Sequence, residues 1–148
     1  MPQLEVATIV MKDAVNVLIG KQKEGPDAGK WVVPSSFVNE GERMIDTCSR
    51  SIIEETGIVV KPKQILFLSE VLEPTHRAAV FCFAEYVSGE PSPGASLTEV
   101  KFVDPRTLGD YQTEGMSELT IDAFYKFSMV LKNQALAAAA SYPTSGTV

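Results

Sequence analysis

Short runs of alternating apolar and polar residues open the chain. LEVATIVM and NVLIGKQ (residues 4–11 and 16–22) are rich in Val and Ile and are separated by KDA, which predicts two strands joined by a tight turn. KEGPDAGK reads as a loop from its Gly and Pro content, and WVV as a brief strand running into an irregular stretch, PSSFVNEGE. The period then changes. From Arg43 to Thr56 the residues Met44, Ile45, Cys48 and Ile52 share one arc at 3.6 residues per turn, which predicts a helix stopped by Gly57. KQILFLSEVL and HRAAVFCFAEYV predict two strands, the second well inside a sheet because its apolar run is partly continuous. SGEPSPGAS is a loop, TEVKFVD a further strand, and DPRTLGD holds one helical turn started by Pro105. SELTIDAFYKFSMVLKNQALAAAA predicts a long amphipathic helix, and SYPTSGTV has the composition of a disordered tail. Without internal repeat or linker, the expectation is an α/β fold in which helices pack on one mixed sheet. Residues 1–133 form a single domain, and 134–148 an Ala-rich helix end and flexible tail.

Composition narrows what such a domain does. The 148 residues, 45% of them hydrophobic, suffice for one sizeable core. The net charge of −6, from 13 basic and 19 acidic side chains, argues against a nucleic-acid polymer as partner. A phosphorylated ligand then needs local basic groups or a metal ion. Cys48 and Cys82 sit in apolar surroundings and the N-terminus lacks a signal-peptide layout, so both read as buried thiols of a reducing, cytoplasmic compartment. No apolar run has the length of a membrane span.

One stretch breaks the rules of helix electrostatics. Glu54 and Glu55 fall in the last turn before Gly57, where the macrodipole favours Lys or Arg. At 100° per residue Glu55 stacks on Ser51, with Glu54 and Thr47 beside it, at the border of the apolar stripe. Either the helix end frays and the acids are merely solvated, or a cation neutralises them.

The surrounding residues favour the cation. SFVNEGERMIDTCSRSIIEETGI (residues 36–58) resembles the signature of the Nudix hydrolases, G-x5-E-x7-R-E-U-x-E-E-x-G-U with U aliphatic. Glu42, Arg50, Ile52, Glu54, Glu55, Gly57 and Ile58 stand at the required spacings, while Ser36 replaces the first glycine and Ser51 the first glutamate of R-E-U-x-E-E. The flanks, from about Leu4 to Leu131, resemble the family as well. The resemblance implies an α/β/α sandwich with a central mixed β-sheet and flanking helices, and cleavage of a pyrophosphate bond in a small nucleotide, a nucleoside triphosphate or a nucleoside diphosphate linked to another group. Diphosphate oxygens repel a water nucleophile, so such chemistry needs Mg2+ (or Mn2+) and a base. Mg2+ takes hard oxygen ligands, usually one or two carboxylates plus phosphates and waters. By the same resemblance Glu54, Glu55 and Glu42 are the metal candidates, and Arg50 braces the box loop.

Further candidates lie outside the box. Glu99, just before a strand, resembles an additional metal-binding or water-activating glutamate of the family, and Glu70 and Glu73 flank a strand near the expected cleft. Ser36, Phe37 and Arg77 are candidate substrate contacts. Trp31, Phe83 and Phe102 offer faces for a base, although most aromatics of such sandwiches belong to the core. Lys21 and Lys23 are candidate phosphate contacts or plain surface charges, and His76 is a lone strand-edge histidine. Three functional classes stay open: a Nudix hydrolase, a nucleotide-binding sensor impaired at Ser51, and an interaction scaffold. The last helix has apolar surface enough to cover the sheet and leave part for a homodimer.

Overall fold

The computed structural model describes residues 3–141. Strands β1 (Gln3–Lys12) and β2 (Asn16–Gln22) form the expected hairpin, pairing antiparallel at Met11 with Val17, and the turn between them puts Asp13 and Ala14 in the left-handed region. The sheet continues through β3 (Trp31–Val32), β4 (Ser35–Phe37), β5 (Val59–Val71), β6 (Arg77–Ser88) and β7 (Leu97–Val103). Its main order is β3-β2-β1-β6-β5, with β4 also on β1 and β7 also on β2. Only β1 and β6 pair in parallel; the other ladders are antiparallel, so the sheet is mixed.

Alternation along β1 sorts the core into two layers. Val6 and Val10 point to one face with Cys48 and Ile52 of α1 (Met44–Thr56), while Ala7 and Ile9 point to the other with Leu119, Ala123 and Phe127 of α3 (Glu118–Ser141). Fully burying side chains of this size contributes about 1.5–3 kcal/mol each, which is why helices cover both faces. The expected α/β/α sandwich is the observed one.

Two elements differ from the sequence expectation. The stretch read as irregular contains β4, held on β1 by Glu5 opposite Phe37 and Ala7 opposite Ser35. Past the 3-10 turn Pro105–Thr107, where a single helical turn was expected, a second helix α2 (Leu108–Gly115) follows with no buried residue, so no apolar period marked it. Of the expected tail, residues 141–148, Ser141 ends α3 and residues 142–148 lie outside the described residues. Among these, no helix is long and apolar enough to cross a membrane. Both cysteines are buried free thiols.

Candidate active site

Helix α1 ends as its sequence demands. Gly57 adopts φ 73° and its N–H donates to the Ile53 carbonyl, closing the last turn. Two further carbonyls of that turn, which would be orphaned, are met by the loop after β6: the Gly94 N–H donates to the Glu55 carbonyl and the Ser92 N–H to the Thr56 carbonyl, both at 2.8 Å. The same loop brings the Ser96 hydroxyl to the Glu55 carboxylate. A backbone seat thus fixes the two acids at the helix end.

Arg50 is the hub of the box. Its Nε donates to Glu42 Oε2 at 2.7 Å, Nη2 to Glu42 Oε1 at 2.9 Å and to the Phe37 carbonyl at 3.0 Å, and Nη1 to Glu54 Oε2 at 3.0 Å. Glu42 Oε1 also accepts from the Thr47 hydroxyl at 2.7 Å and the Asn39 N–H at 3.2 Å. Hydrogen bonds from Arg50 and Thr47 hold the Glu42 carboxyl down to about 2. With both oxygens committed, Glu42 braces the loop onto the helix in the geometry shown. The folded value lies below the ordinary one of 4.5, so this stabilisation is present above 4.5 and is lost as pH falls from there towards 2. Glu42→Gln is expected to remove that acid-side dependence and to lower kcat/KM roughly tenfold through misplacement of Glu54, checked by pH-resolved unfolding and steady-state kinetics.

Glu55 differs from Glu42. Burial and the neighbouring Glu54 charge raise its carboxyl above the usual range, opposed by Ser96 and Arg50. It lines a cavity of about 430 Å3 on the α3 side of the sheet, together with Ser36, Phe37, Arg77 and Ser96. The two serines of the box behave differently. Ser36 lies in extended β4, outside the left-handed region that would favour glycine. Ser51 is fully buried, its hydroxyl donating back to the Cys48 carbonyl at 3.3 Å.

The other candidates are dispersed. Glu99 lies within β7 opposite Lys21, whose Nζ is 3.6 Å from it and 3.2 Å from Glu114, and it is absent from the cavity lining. Glu70 Oε2 accepts from His76 Nε2 at 2.7 Å on an exposed hairpin end, in the manner of a surface pair, and Glu73 lies in the adjoining turn. Trp31 is buried edge-on to Tyr111, Phe83 stacks on Phe127, and Phe102 meets Tyr86 edge-on, so of the candidate aromatics Phe37 lines the cavity, together with Phe81. Three lining acids were missed, Glu5, Glu24 and Asp27. The first had a signal: alternation puts Glu5 on the inward face with Ala7 and Ile9, an odd place for an acid.

Arg50 joins Glu42 to Glu54, and Glu55 beside them lines the cavity. The NUDIX domain family model matches residues 1–122. The chain belongs to the Nudix family. A relative from Methanocaldococcus jannaschii, named ADP-ribose pyrophosphatase, is 31% identical over 110 residues, 72% of this chain and 64% of its own length. This chain therefore aligns with somewhat under two thirds of that protein. Among solved structures, a Nudix hydrolase from Nitrosomonas europaea superposes with TM-score 0.75 at 19% identity, over 87% of this chain and 90% of the other. A MutT protein from Methanosarcina mazei Go1 gives TM-score 0.75 at 24% identity, over 88% and 96%. These two show that the Nudix fold is shared.

Proposed function

We propose that this Nudix chain is a divalent-metal-dependent hydrolase that cleaves the diphosphate bond of a nucleoside diphosphate joined to a sugar. One observation carries the reading: Glu55, fixed by Ser96 and by the backbone seat of its helix end, stands in the lining of a 430 Å3 cavity with Glu54 beside it. The name of the Methanocaldococcus jannaschii relative makes ADP-ribose the first substrate to try.

The donor set fits a metal that arrives with its substrate. Among the described residues no three His, Cys, Asp or Glu side chains cluster as a ready-made metal site. Glu54 and Glu55 offer two hard carboxylates, which suits Mg2+ or Mn2+ completed by diphosphate oxygens and waters. When bound, the ion screens the diphosphate charge and polarises the attacked phosphorus. Glu54 and Glu55 hold it; Arg50 fixes Glu54; and Glu55, the box carboxylate that lines the cavity, is placed to take the proton of the attacking water. The cavity itself requires such screening, since its lining holds four acids, Glu5, Glu24, Asp27 and Glu55, against the single guanidinium of Arg77.

The test is release of AMP and ribose phosphate from ADP-ribose, with ATP alongside, in the presence of Mg2+ or Mn2+. Turnover that needs the ion and fails in Glu55→Gln supports the proposal. It is overturned if neither nucleotide is cleaved with either ion; a thermal shift by nucleotide without turnover then assigns a binding module in place of an enzyme. Ser51 has no part in this chemistry, because its hydroxyl is buried on the Cys48 carbonyl. Ser51→Ala is expected to keep kcat within about twofold of the parent, since removing a buried back-bond leaves no partner stranded that the helix does not already satisfy.

A further inference from the structure

The cavity lining holds a second cluster of charged side chains that the proposed chemistry does not use. There Arg77 Nη1 is 2.9 Å from Asp27 Oδ2 and its Nη2 is 3.8 Å from Glu5 Oε2, all three side chains largely buried. Glu5 stands on β1 opposite Ala79 of β6 and Phe37 of β4, on the face whose other β1 residues, Ala7 and Ile9, belong to the core. An acid at such a position is a loss for packing and for solvation. Burial raises its proton affinity more than Arg77 lowers it, so the ion pair does not repay the placement within the protein alone.

We infer that Glu5, Asp27 and Arg77 form the specificity subsite for the group carried on the diphosphate, and that this subsite takes an uncharged, hydroxyl-bearing sugar and turns away a further phosphate. The inference deepens the hydrolase reading and rests on it. Carboxylates only accept hydrogen bonds and sugar hydroxyls donate them, so the two acids match a polyol. Among the described residues of the lining Arg77 is the only basic one, and it is already committed to both acids, which leaves a terminal phosphate facing carboxylates without a cation of its own. Ala7, Ala79 and Phe81 in the same lining give the apolar surface against which one face of a sugar rests.

The experiment compares kcat/KM for ADP-ribose and for ATP, with Mg2+ throughout, in the parent, Glu5→Gln, Asp27→Asn and the double variant, with thermal unfolding as the check on folding. Removing the two charges is expected to cut the preference for ADP-ribose over ATP by about tenfold or more, with the change in KM rather than kcat. The acids are then discriminating by charge, which a purely structural role would not do. Folded variants that keep the parental ratio overturn the inference while parental turnover leaves the hydrolase reading standing. A parent that cleaves neither nucleotide overturns both. Should Glu5→Gln fail to fold, Asp27→Asn decides, because Asp27 sits in the loop between β2 and β3 and not within the sheet.

Discussion

Glu55→Gln is expected to lower kcat by about 10²- to 10⁴-fold, the range that a positioned carboxylate contributes to proton transfer. It is expected at the same time to raise the unfolding midpoint of the metal-free protein at neutral pH. The sign follows from the environment. Burial first, and the Glu54 charge second, push the Glu55 carboxyl above its ordinary 4.5. The folded state therefore binds this proton more tightly than the unfolded chain, and stability falls as pH rises from 4.5 through the folded value. At pH 7 the charge is a net loss, and an isosteric amide that still accepts from Ser96 removes it. In the parent the same relief is expected from Mg2+ together with nucleotide, and little from Mg2+ alone, because two carboxylates make a weak site without phosphate oxygens. Calorimetry of parent and variant, each with metal, nucleotide or both, separates these effects. A variant that is inactive and also less stable would sink the account, since Glu55 would then be holding the fold.

The sequence carried this site unevenly, and the reasons are physical. Helix α1 was legible because its apolar period, its glycine stop and the box spacing all report on thirteen consecutive residues, Met44 to Thr56. The acids at its wrong end were legible as an anomaly for the same reason. What relieves the anomaly came from elsewhere: the N–H groups of Ser92 and Gly94 and the hydroxyl of Ser96 reach α1 from a loop roughly forty residues on, and nothing local encodes that approach. Strand β4 escaped notice because three residues, Ser35 to Phe37, are too few for alternation to show. Strand β5 starts at Val59, four residues before the expected Lys63, although Pro62 within it has no N–H for a ladder. The ladder shifts register between Pro62 and Gln64, which accommodates a residue with no N–H to give. Glu42 and Glu99 show the limit of a motif. Box spacing selected Glu42 and the family resemblance Glu99, but neither encodes the side-chain contacts: Glu42 is held by Arg50, Thr47 and Asn39, and Glu99 lies 3.6 Å from Lys21.

Gly94→Ala is expected to damage stability and catalysis together, although it lies outside the box. A Cβ built on Gly94 would stand 2.2 Å from the Glu54 carbonyl oxygen and 3.0 Å from the Glu55 Cα, backbone atoms that no rotamer change can move. Either the loop backs away or the last turn of α1 shifts. In the first case the Gly94 and Ser92 N–H groups lose the Glu55 and Thr56 carbonyls and Ser96 withdraws from the Glu55 carboxylate. Each hydrogen bond left unmade at a buried group costs about 1–3 kcal/mol, so a total of about 2–4 kcal/mol and a fall in Tm of roughly 5–12 °C are expected. Displacing the two box glutamates against the cavity is expected to lower kcat/KM by a further 10- to 100-fold, on the order of what misplacement by about 1 Å does to a positioned catalytic group. Gly109→Ala is the control, for nothing lies within 4 Å of its Cβ and it falls inside α2, where alanine is the better helix former. Thermal unfolding and steady-state hydrolysis of both variants check the argument. Parental Tm and turnover in Gly94→Ala would mean that the loop after β6 does not seat the helix end, and that the two acids are held by Arg50 and the helix alone.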